Sequence, residues 1–208
     1  MNALTFPAPR PNCAEFTERP LPTSRVALSE AGQSWQYRLM PNRTKRRSFE
    51  EGHVRKMLVI MDDSTEVETA LYFCASRIAH SSGVIVMLHI IEPQDFQTWM
   101  GVKQLHIEEE TNKAKARFRL LRRKLNQSGF EHVVSEEVIR EGVVVDEITK
   151  LIDEDHDIGI MVLGAAVDSK GPGPLVSSLA AGSRAGTFPI PITIVPGDLT
   201  LEELQALA

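Results

Sequence analysis

The chain has 208 residues, of which 42% are hydrophobic and 25% charged, and its formal net charge is -5. This length suits one domain with an appendage, and the composition is ordinary for a globular protein. The acidic balance gives no general affinity for nucleic acids. The longest apolar run, Val84–Ile91, is interrupted by His89 and is far shorter than the roughly 20 residues of a membrane-spanning helix. We therefore expect neither a nucleic acid nor a membrane as a partner.

The cysteines, the histidines and the opening residues disfavour further classes of protein. The two cysteines, Cys13 and Cys74, form no disulfide framework, and Cys74 is interpreted as a small apolar residue on a helix. The first residues have neither the basic start nor the apolar core of a signal peptide, so we expect a cytoplasmic protein. The six histidines lack metal-ligand spacing, and His89, inside an apolar run, is interpreted as a satisfied core histidine.

Residues 1–53 differ in character from the rest of the chain. They hold six of the twelve prolines and eight Lys or Arg against five Asp or Glu, a local charge of +3. No helical or strand periodicity survives this proline spacing, so we expect a mostly disordered extension before a domain over 54–208. The alternative is that Met40 is the true start of the protein.

Two buried strands with a helix between them are predicted next. Met57–Met61 is an uninterrupted apolar run that ends at Asp62-Asp63-Ser64, as in a strand buried on both faces. The following helix begins at Asp63 or Thr65, since each has a glutamate three residues later. Val84–Ile91 is the second strand, so the pair is parallel and joined by a right-handed crossover.

A long helix is predicted over about 102–127. Its buried side is marked by apolar residues at helical spacing, namely Ala114, Phe118, Leu121 and Leu125. Its basic residues are interpreted as a solvated outer face, namely Arg117, Arg119, Arg122, Arg123 and Lys124.

Helices and strands continue to alternate to the end of the chain. A half-exposed strand over 132–139 is followed by a helix after Gly142 and by a buried strand over 158–163. A helix then begins at Pro174, the last strand covers 190–195, and a terminal helix covers 200–207. Alternating elements predict an α/β fold with a five-stranded parallel doubly wound open sheet. The half-exposed third strand belongs at an edge, which fits the strand order 3-2-1-4-5.

In such a sheet, ligands bind at the carboxyl ends of the strands that flank the reversal of strand order. Those ends carry Asp62-Asp63-Ser64 and Gly164. A loop with Gly171 and Gly173 follows, and it opens a helix whose free N–H groups would suit a phosphate. The alternative is a flexible connection between two core strands.

Residues from about 56 to 197 resemble the universal stress protein family. Four pieces carry the resemblance in the right order: Lys56–Ser64, Leu88–Pro93, Val162-Leu163-Gly164 and Phe188–Ile192. Three other families are excluded because the chain lacks the residues that they require. Receiver domains need an aspartate after the third strand, pyrophosphatase-type adenylating enzymes need glycines after the first strand, and P-loop proteins need Gly-Lys-Ser or Gly-Lys-Thr. The resemblance implies an adenine nucleotide alpha-hydrolase-like fold and a cytoplasmic stress-response protein. It also implies a homodimer that pairs through the edge strand over 190–195. Some members of the family bind ATP in the crevice and others do not.

The resemblance also implies nucleotide-binding positions. Asp62 matches the aspartate near the first strand, with helix capping as the alternative. Ile90 matches the valine beside the adenine, but it is interpreted first of all as a core residue. Nucleotide-binding members of the family carry the pattern Gly-x-x-Gly-(nine residues)-Gly-Ser. The chain does not match it, because the numbers of residues between its glycines differ from those of the pattern: Gly164, Gly171, Gly173 and Gly182. Counting back from Pro191 places the family's Gly-Ser near Ser178, so Ser177 and Ser178 are candidates for phosphate contacts, or else ordinary helix residues.

Asp63 replaces the usual glycine of the family and adds a negative charge, so ATP would need Mg²⁺ to be tolerated there. Together with Ser64, these positions form the predicted site. The favoured function is a cytoplasmic, homodimeric, non-enzymatic regulator with an unidentified protein partner, and ATP in the crevice between the first and fourth strands is left open. The alternatives are an ATP/Mg²⁺-dependent switch or weak ATPase, and a structural dimer that binds no nucleotide. No catalytic or metal-ligating residue is predicted.

Overall fold

The computed structural model describes residues 45–93, 100–167, 171–180 and 188–208. Over these residues it has a five-stranded parallel sheet in the order β3-β2-β1-β4-β5, which confirms the predicted fold and strand order. The strands are β1 (Lys56–Met61), β2 (Val84–Ile91), β3 (Val134–Glu141), β4 (Ile158–Ala165) and β5 (Ile192–Pro196). The helices are α1 (Glu66–Ala79), α2 (Met100–Gln127), α3 (Val144–Glu154) and α4 (Leu201–Ala206), with a π-helical turn over Val176–Ala180.

Helices cover both faces of the sheet. α1, α2 and α4 pack on one face and α3 and the π-helical turn on the other. This explains why β1 is an uninterrupted apolar run, since Met57–Met61 are all buried. Cys74 on α1 is also fully buried, as expected, and burial raises the pKa of its thiol.

The two edge strands of the sheet, β3 and β5, begin two residues later than the sequence predicts. β3 begins at Val134 rather than at residue 132, because Val133 closes a turn onto the carbonyl of Phe130. β5 begins at Ile192 rather than at residue 190, because Pro191 has no N–H for the ladder. Pro191 contributes only its carbonyl, which accepts a hydrogen bond from Met161 N at 3.0 Å.

Helix starts follow local chemistry only in part. At α4, Thr200 and Glu203 form a reciprocal capping box. At α1 the N-cap is Thr65, one of the two predicted residues, but its side chain makes no capping hydrogen bond. The helix expected from Pro174 is a short helical start that widens into the π-helical turn.

Residues 45–53 belong to the predicted extension, and the structure describes them as turns against the domain. Arg47 N donates to His156 O at 3.0 Å, and Ser48 is buried. Residues 1–44 lie outside the described residues. Within the described part of the chain, no helix has the length and apolar character needed to cross a membrane.

Candidate functional site

A cleft of about 420 Å³ opens at the carboxyl end of the sheet. Its lining comes from the ends of β1 and β2, one side of α2, the start of α3 and the segment after β4: Ile60–Asp63, His89–Pro93, His106, Glu110, Val144 and Leu175. Because the strand order reverses between β1 and β4, the cleft lies where sheets of this type bind ligands. Three predicted residues line it together, namely Asp62, Asp63 and Ile90.

Asp62 stabilises the turn that leaves β1. Its Oδ1 accepts hydrogen bonds from Ser64 N at 3.0 Å and from Ser64 Oγ at 2.5 Å. This is an Asx-turn, which holds the chain between the strand and α1. The predicted alternative of helix capping is not what Asp62 does, because the N-cap of α1 is Thr65 and Asp62 Oδ1 serves the turn that precedes the helix. Ser64 is fixed by the same pair of bonds.

Asp63 pairs with an arginine from a different helix. Arg117 Nη1 lies 2.7 Å from Asp63 Oδ1, and Arg117 Nη2 donates to Ser64 O at 2.9 Å. The expectation that Arg117 belongs to a solvated face is wrong, because its side chain is only 26% exposed and bridges α2 to the β1–α1 turn. The guanidinium offsets one of the charges that made the Asp62-Asp63 pair unfavourable for a polyphosphate.

The two histidines of the cleft come from β2 and α2. His89 is half-buried and lines the cleft rather than lying inside the core. Its Nδ1 is 3.2 Å from Met61 O, an arrangement in which Nδ1–H donates and Nε2 is left as an acceptor. Sequence patterns did not indicate this role, because His89 lies within an apolar strand. Only the fold shows that the end of this strand borders the cleft.

Glu110 faces the same space from α2. Lys113 Nζ lies 2.6 Å from its carboxylate, and this hydrogen bond lowers the pKa of Glu110 below its ordinary value. An adjoining hollow of about 560 Å³ between α1 and α2 shares Asp63, His89 and Glu110 with the cleft. The predicted site missed this α2 wall, since the rotation of a helix about its axis is set by tertiary packing.

Gly164 serves the packing of β4 against α1. A Cβ at this position would collide with the backbone carbonyl of Glu66, so only glycine lets the end of β4 pass beneath the start of the helix. Its place at the reversal of strand order is thus explained by a close backbone approach. The structure does not bring Gly164 to the described lining of the cleft.

The glycine loop turns back on itself. Gly171 and Gly173 have φ angles of +109° and +93°, which favour glycine, and Ala166 N donates to Pro172 O at 3.2 Å. Ser177 and Ser178 are exposed, and Ser178 Oγ donates to Leu175 O at 3.2 Å. Leu175 is the described residue of this segment that reaches the cleft. The pair Gly182-Ser183 lies outside the described residues.

The comparisons with known proteins decide the family. The family model described as "Universal stress protein family" matches residues 53–196. This chain belongs to the universal stress protein family. No curated protein matches it significantly.

Solved structures, two of them of universal stress proteins, share the fold. The protein UspA from Lactobacillus plantarum is 15% identical, with a TM-score of 0.51, covering 68% of this chain and 97% of that one. A family protein from Burkholderia pseudomallei is 14% identical, with a TM-score of 0.51, covering 68% and 95%. The hypothetical protein MJ0577 is 16% identical, with a TM-score of 0.54, covering 70% and 98%. At these identities, the likeness shows the fold alone.

In this universal stress protein the described lining of the cleft is acidic. Four of its side chains are carboxylates, two are imidazoles, and none is lysine or arginine: Asp62, Asp63, Glu92, Glu110, His89 and His106. Among the described residues, no group of three His, Cys, Asp or Glu is arranged to hold a metal ion.

Proposed function

We propose that this universal stress protein is a non-enzymatic regulator whose carboxyl-end cleft binds an adenine nucleotide as its Mg²⁺ complex. The observation that carries the proposal is the cleft itself, which opens at the carboxyl end of β1, beside the reversal of strand order, and has a volume within the range of small-molecule sites. Family membership supports it, because the predicted Asp62 and Ile90 both reach this cleft.

The nucleoside occupies the part of the cleft between β1 and β2. Ile90 supplies an apolar wall for the base, and His89 Nε2 and the Asp62 carboxylate supply acceptors for ring or ribose donors. The phosphates extend past Leu175 towards Gly171, Gly173, Ser177 and Ser178. Four carboxylates in the lining repel a bare polyphosphate, so Mg²⁺ is required for tight binding.

Titration calorimetry and thermal unfolding with Mg·ATP test this proposal on the full chain. Saturation at a hundred times the dissociation constant should stabilise the fold by about 2.7 kcal/mol. Ile90→Trp, which fills the cleft, should abolish the stabilisation, and Val134→Trp on the exposed start of β3 is the matched control. Asp62→Asn keeps an oxygen for the Asx-turn, so it should preserve the unfolding midpoint of the free protein and weaken nucleotide binding.

Two outcomes would overturn the nucleotide assignment. One is the absence of any stabilisation at millimolar Mg·ATP. The other is an affinity that stays unchanged in both Ile90→Trp and Asp62→Asn, since binding would then occur elsewhere.

The same proposal includes a cytoplasmic homodimer, formed through β5 and read by a protein partner. β5 is the last strand in the sheet order and Ile194 is 45% exposed, so an edge with an apolar side chain is open to a second copy. Sedimentation analysis should give a dimer for the wild type and a monomer for Ile194→Lys. Val134→Lys at the opposite edge is the control, and a monomeric wild type would contradict the dimer.

A further inference from the structure

A second pocket, of about 340 Å³, lies at the amino end of the same sheet. Its floor is apolar, from Met57 in β1 and Ile160 in β4, and Phe73 on α1 forms one wall. Residues 45–53 line the other side with the buried Ser48 and the exposed Phe49. The family model begins at residue 53, so the resemblance gives no reason for this wall.

Three arginines line this pocket, namely Arg46, Arg55 and Arg77, and none of its described lining residues is acidic. Arg55 lies 5.8 Å from the centre of the Phe49 ring, and Arg77 lies 5.9 Å from that of Phe73. Within the described part of the chain, neither of these two guanidinium groups has a carboxylate within 4.0 Å. Their positive charges therefore lie beside aromatic rings, and no acid among the described residues neutralises them.

Arg46 adds a third, more deeply buried charge. Its Nη1 donates to the carbonyls of Ile152 and Asp155 at the end of α3, and its Nε and Nη2 are buried without a hydrogen-bond partner among the described residues. The carboxylate of Asp153, 60% exposed, lies 3.8 Å from Nη2. A buried guanidinium that is only partly compensated makes the potential of the pocket positive and favours an anion near it.

We propose that this pocket binds an aromatic organic anion, with its oxyanion at Arg55 and Arg77 and its ring on the floor of Met57 and Ile160 beside Phe73. Guanidinium groups recognise carboxylates and phosphates through paired N–H donors. The apolar floor favours an organic body over a bare inorganic ion, and the volume suits a small molecule. The site is separate from the carboxyl-end cleft and does not depend on nucleotide binding there.

Calorimetric titration of the full chain with phenyl phosphate tests the proposal, with benzoate as a second probe to distinguish a phosphate from a carboxylate. One of the two should bind saturably, and more tightly than inorganic phosphate or phenol, because both the charge and the ring contribute. The double substitution Arg55→Gln and Arg77→Gln should weaken that binding by about tenfold or more, since two charge-assisted contacts are lost.

Arg123→Gln is the matched control, because it removes an exposed arginine of α2 that lines neither site. It should leave the affinity for the aromatic probe within about twofold of the wild-type value, since a distant surface charge is screened by salt. Phe73→Leu, which keeps the apolar character of the wall, should weaken phenyl phosphate more than inorganic phosphate. The proposal is overturned if neither probe binds saturably, if inorganic phosphate binds as tightly as the aromatic probes, or if the arginine pair and Arg123→Gln have equal effects. Unfolding midpoints of all variants establish that each is folded.

Discussion

The two cavities at opposite ends of the sheet have linings of opposite charge. The carboxyl end has a cleft whose described lining holds four carboxylates, and the amino end has a pocket lined by three arginines. The dipole of α1 contributes to this difference. α1 begins at the carboxyl end, next to Asp62, Asp63 and Glu66, and ends at the amino end with Arg77. Acids are favourable near helix starts and bases near helix ends, so the charges follow the direction of the chain.

α3 follows this rule at its start but not at its end, where Asp153 and Glu154 lie and no residue of the last turn is basic. Its first turn carries Asp146 and Glu147, and Arg46 binds carbonyls at its other end. In this sheet the cleft at the carboxyl end is lined by carboxylates and the pocket at the amino end by arginines. The carboxyl-end cleft therefore needs a cation to accept a phosphate, whereas the amino-end pocket accepts an anion directly.

The largest expected effect concerns two glycines on β4, one at each end. Gly164→Ala should cost about 3 kcal/mol or more of the free energy of unfolding, because its Cβ meets the rigid backbone of Glu66. Gly159→Ala should cost about 1 kcal/mol or less, because its Cβ would lie 3.0 Å from Ser48 Oγ, a side-chain atom that can shift. Urea unfolding measures both, and equal costs would contradict the packing role of Gly164.

The second prediction uses Mg²⁺ to separate the two ends. Removing Mg²⁺ with a chelator should weaken ATP binding by about tenfold or more, since the described acidic lining then faces an uncompensated triphosphate. Binding of phenyl phosphate or benzoate at the amino end should stay unchanged. ATP affinity that is independent of Mg²⁺ would show that the carboxylates of the cleft do not face the phosphates.

A smaller effect is expected at the ion pair between α2 and the β1–α1 turn. Arg117→Gln removes the partner of Asp63 and should weaken Mg·ATP binding by about threefold, a modest effect because Asp63 is fully exposed. Calorimetry measures it, with Arg119→Gln as the control, since Arg119 is an exposed arginine of the same helix. An equal loss in both variants would assign the effect to net charge alone.

The smallest effect is a pH dependence at the amino end. Partial burial lowers the pKa of Lys56, but its hydrogen bonds to Glu136 and Asp155 outweigh burial, and the pKa is raised above its ordinary value. A raised pKa stabilises the fold fully below the unfolded pKa of about 10.4, and this is lost as pH rises through the higher folded value.

Lys56→Gln tests this linkage against Lys45→Gln, which removes an exposed lysine. The difference in unfolding free energy between wild type and Lys56→Gln should be constant from neutral pH to about pH 10 and then shrink. A difference that instead grows above that pH would contradict the sign of the shift.

The fold was predictable from the sequence to a greater extent than the site. Alternating apolar runs and helical faces, such as the run over Met57–Met61, depend on short-range patterns, and the polar alternation in β3 was enough to place it at an edge. The cleft depends on contacts between residues far apart in the chain. Arg117 meets Asp63 only because α2 turns that side towards the β1–α1 loop, and no spacing rule gives that rotation.

Gly164 shows that a residue can be found from the sequence while its role cannot. A glycine after a strand at the reversal of strand order is compatible with a ligand and equally with close packing, and the residue type alone does not separate them. The position of Glu66 above it does. The arginine pocket was not predicted, because its residues come from four separate segments and share no motif.

Paramagnetic broadening by Mn·ATP tests the central claim most directly, since Mn²⁺ replaces Mg²⁺ on the phosphates and broadens the signals of nearby amides. The account predicts broadening of Asp63, Ser64 and Gly173 at the carboxyl end and unchanged signals for Ser48 and Thr193 at the amino end. Broadening centred on Ser48 and Thr193, or no broadening with saturating Mn·ATP, would contradict it.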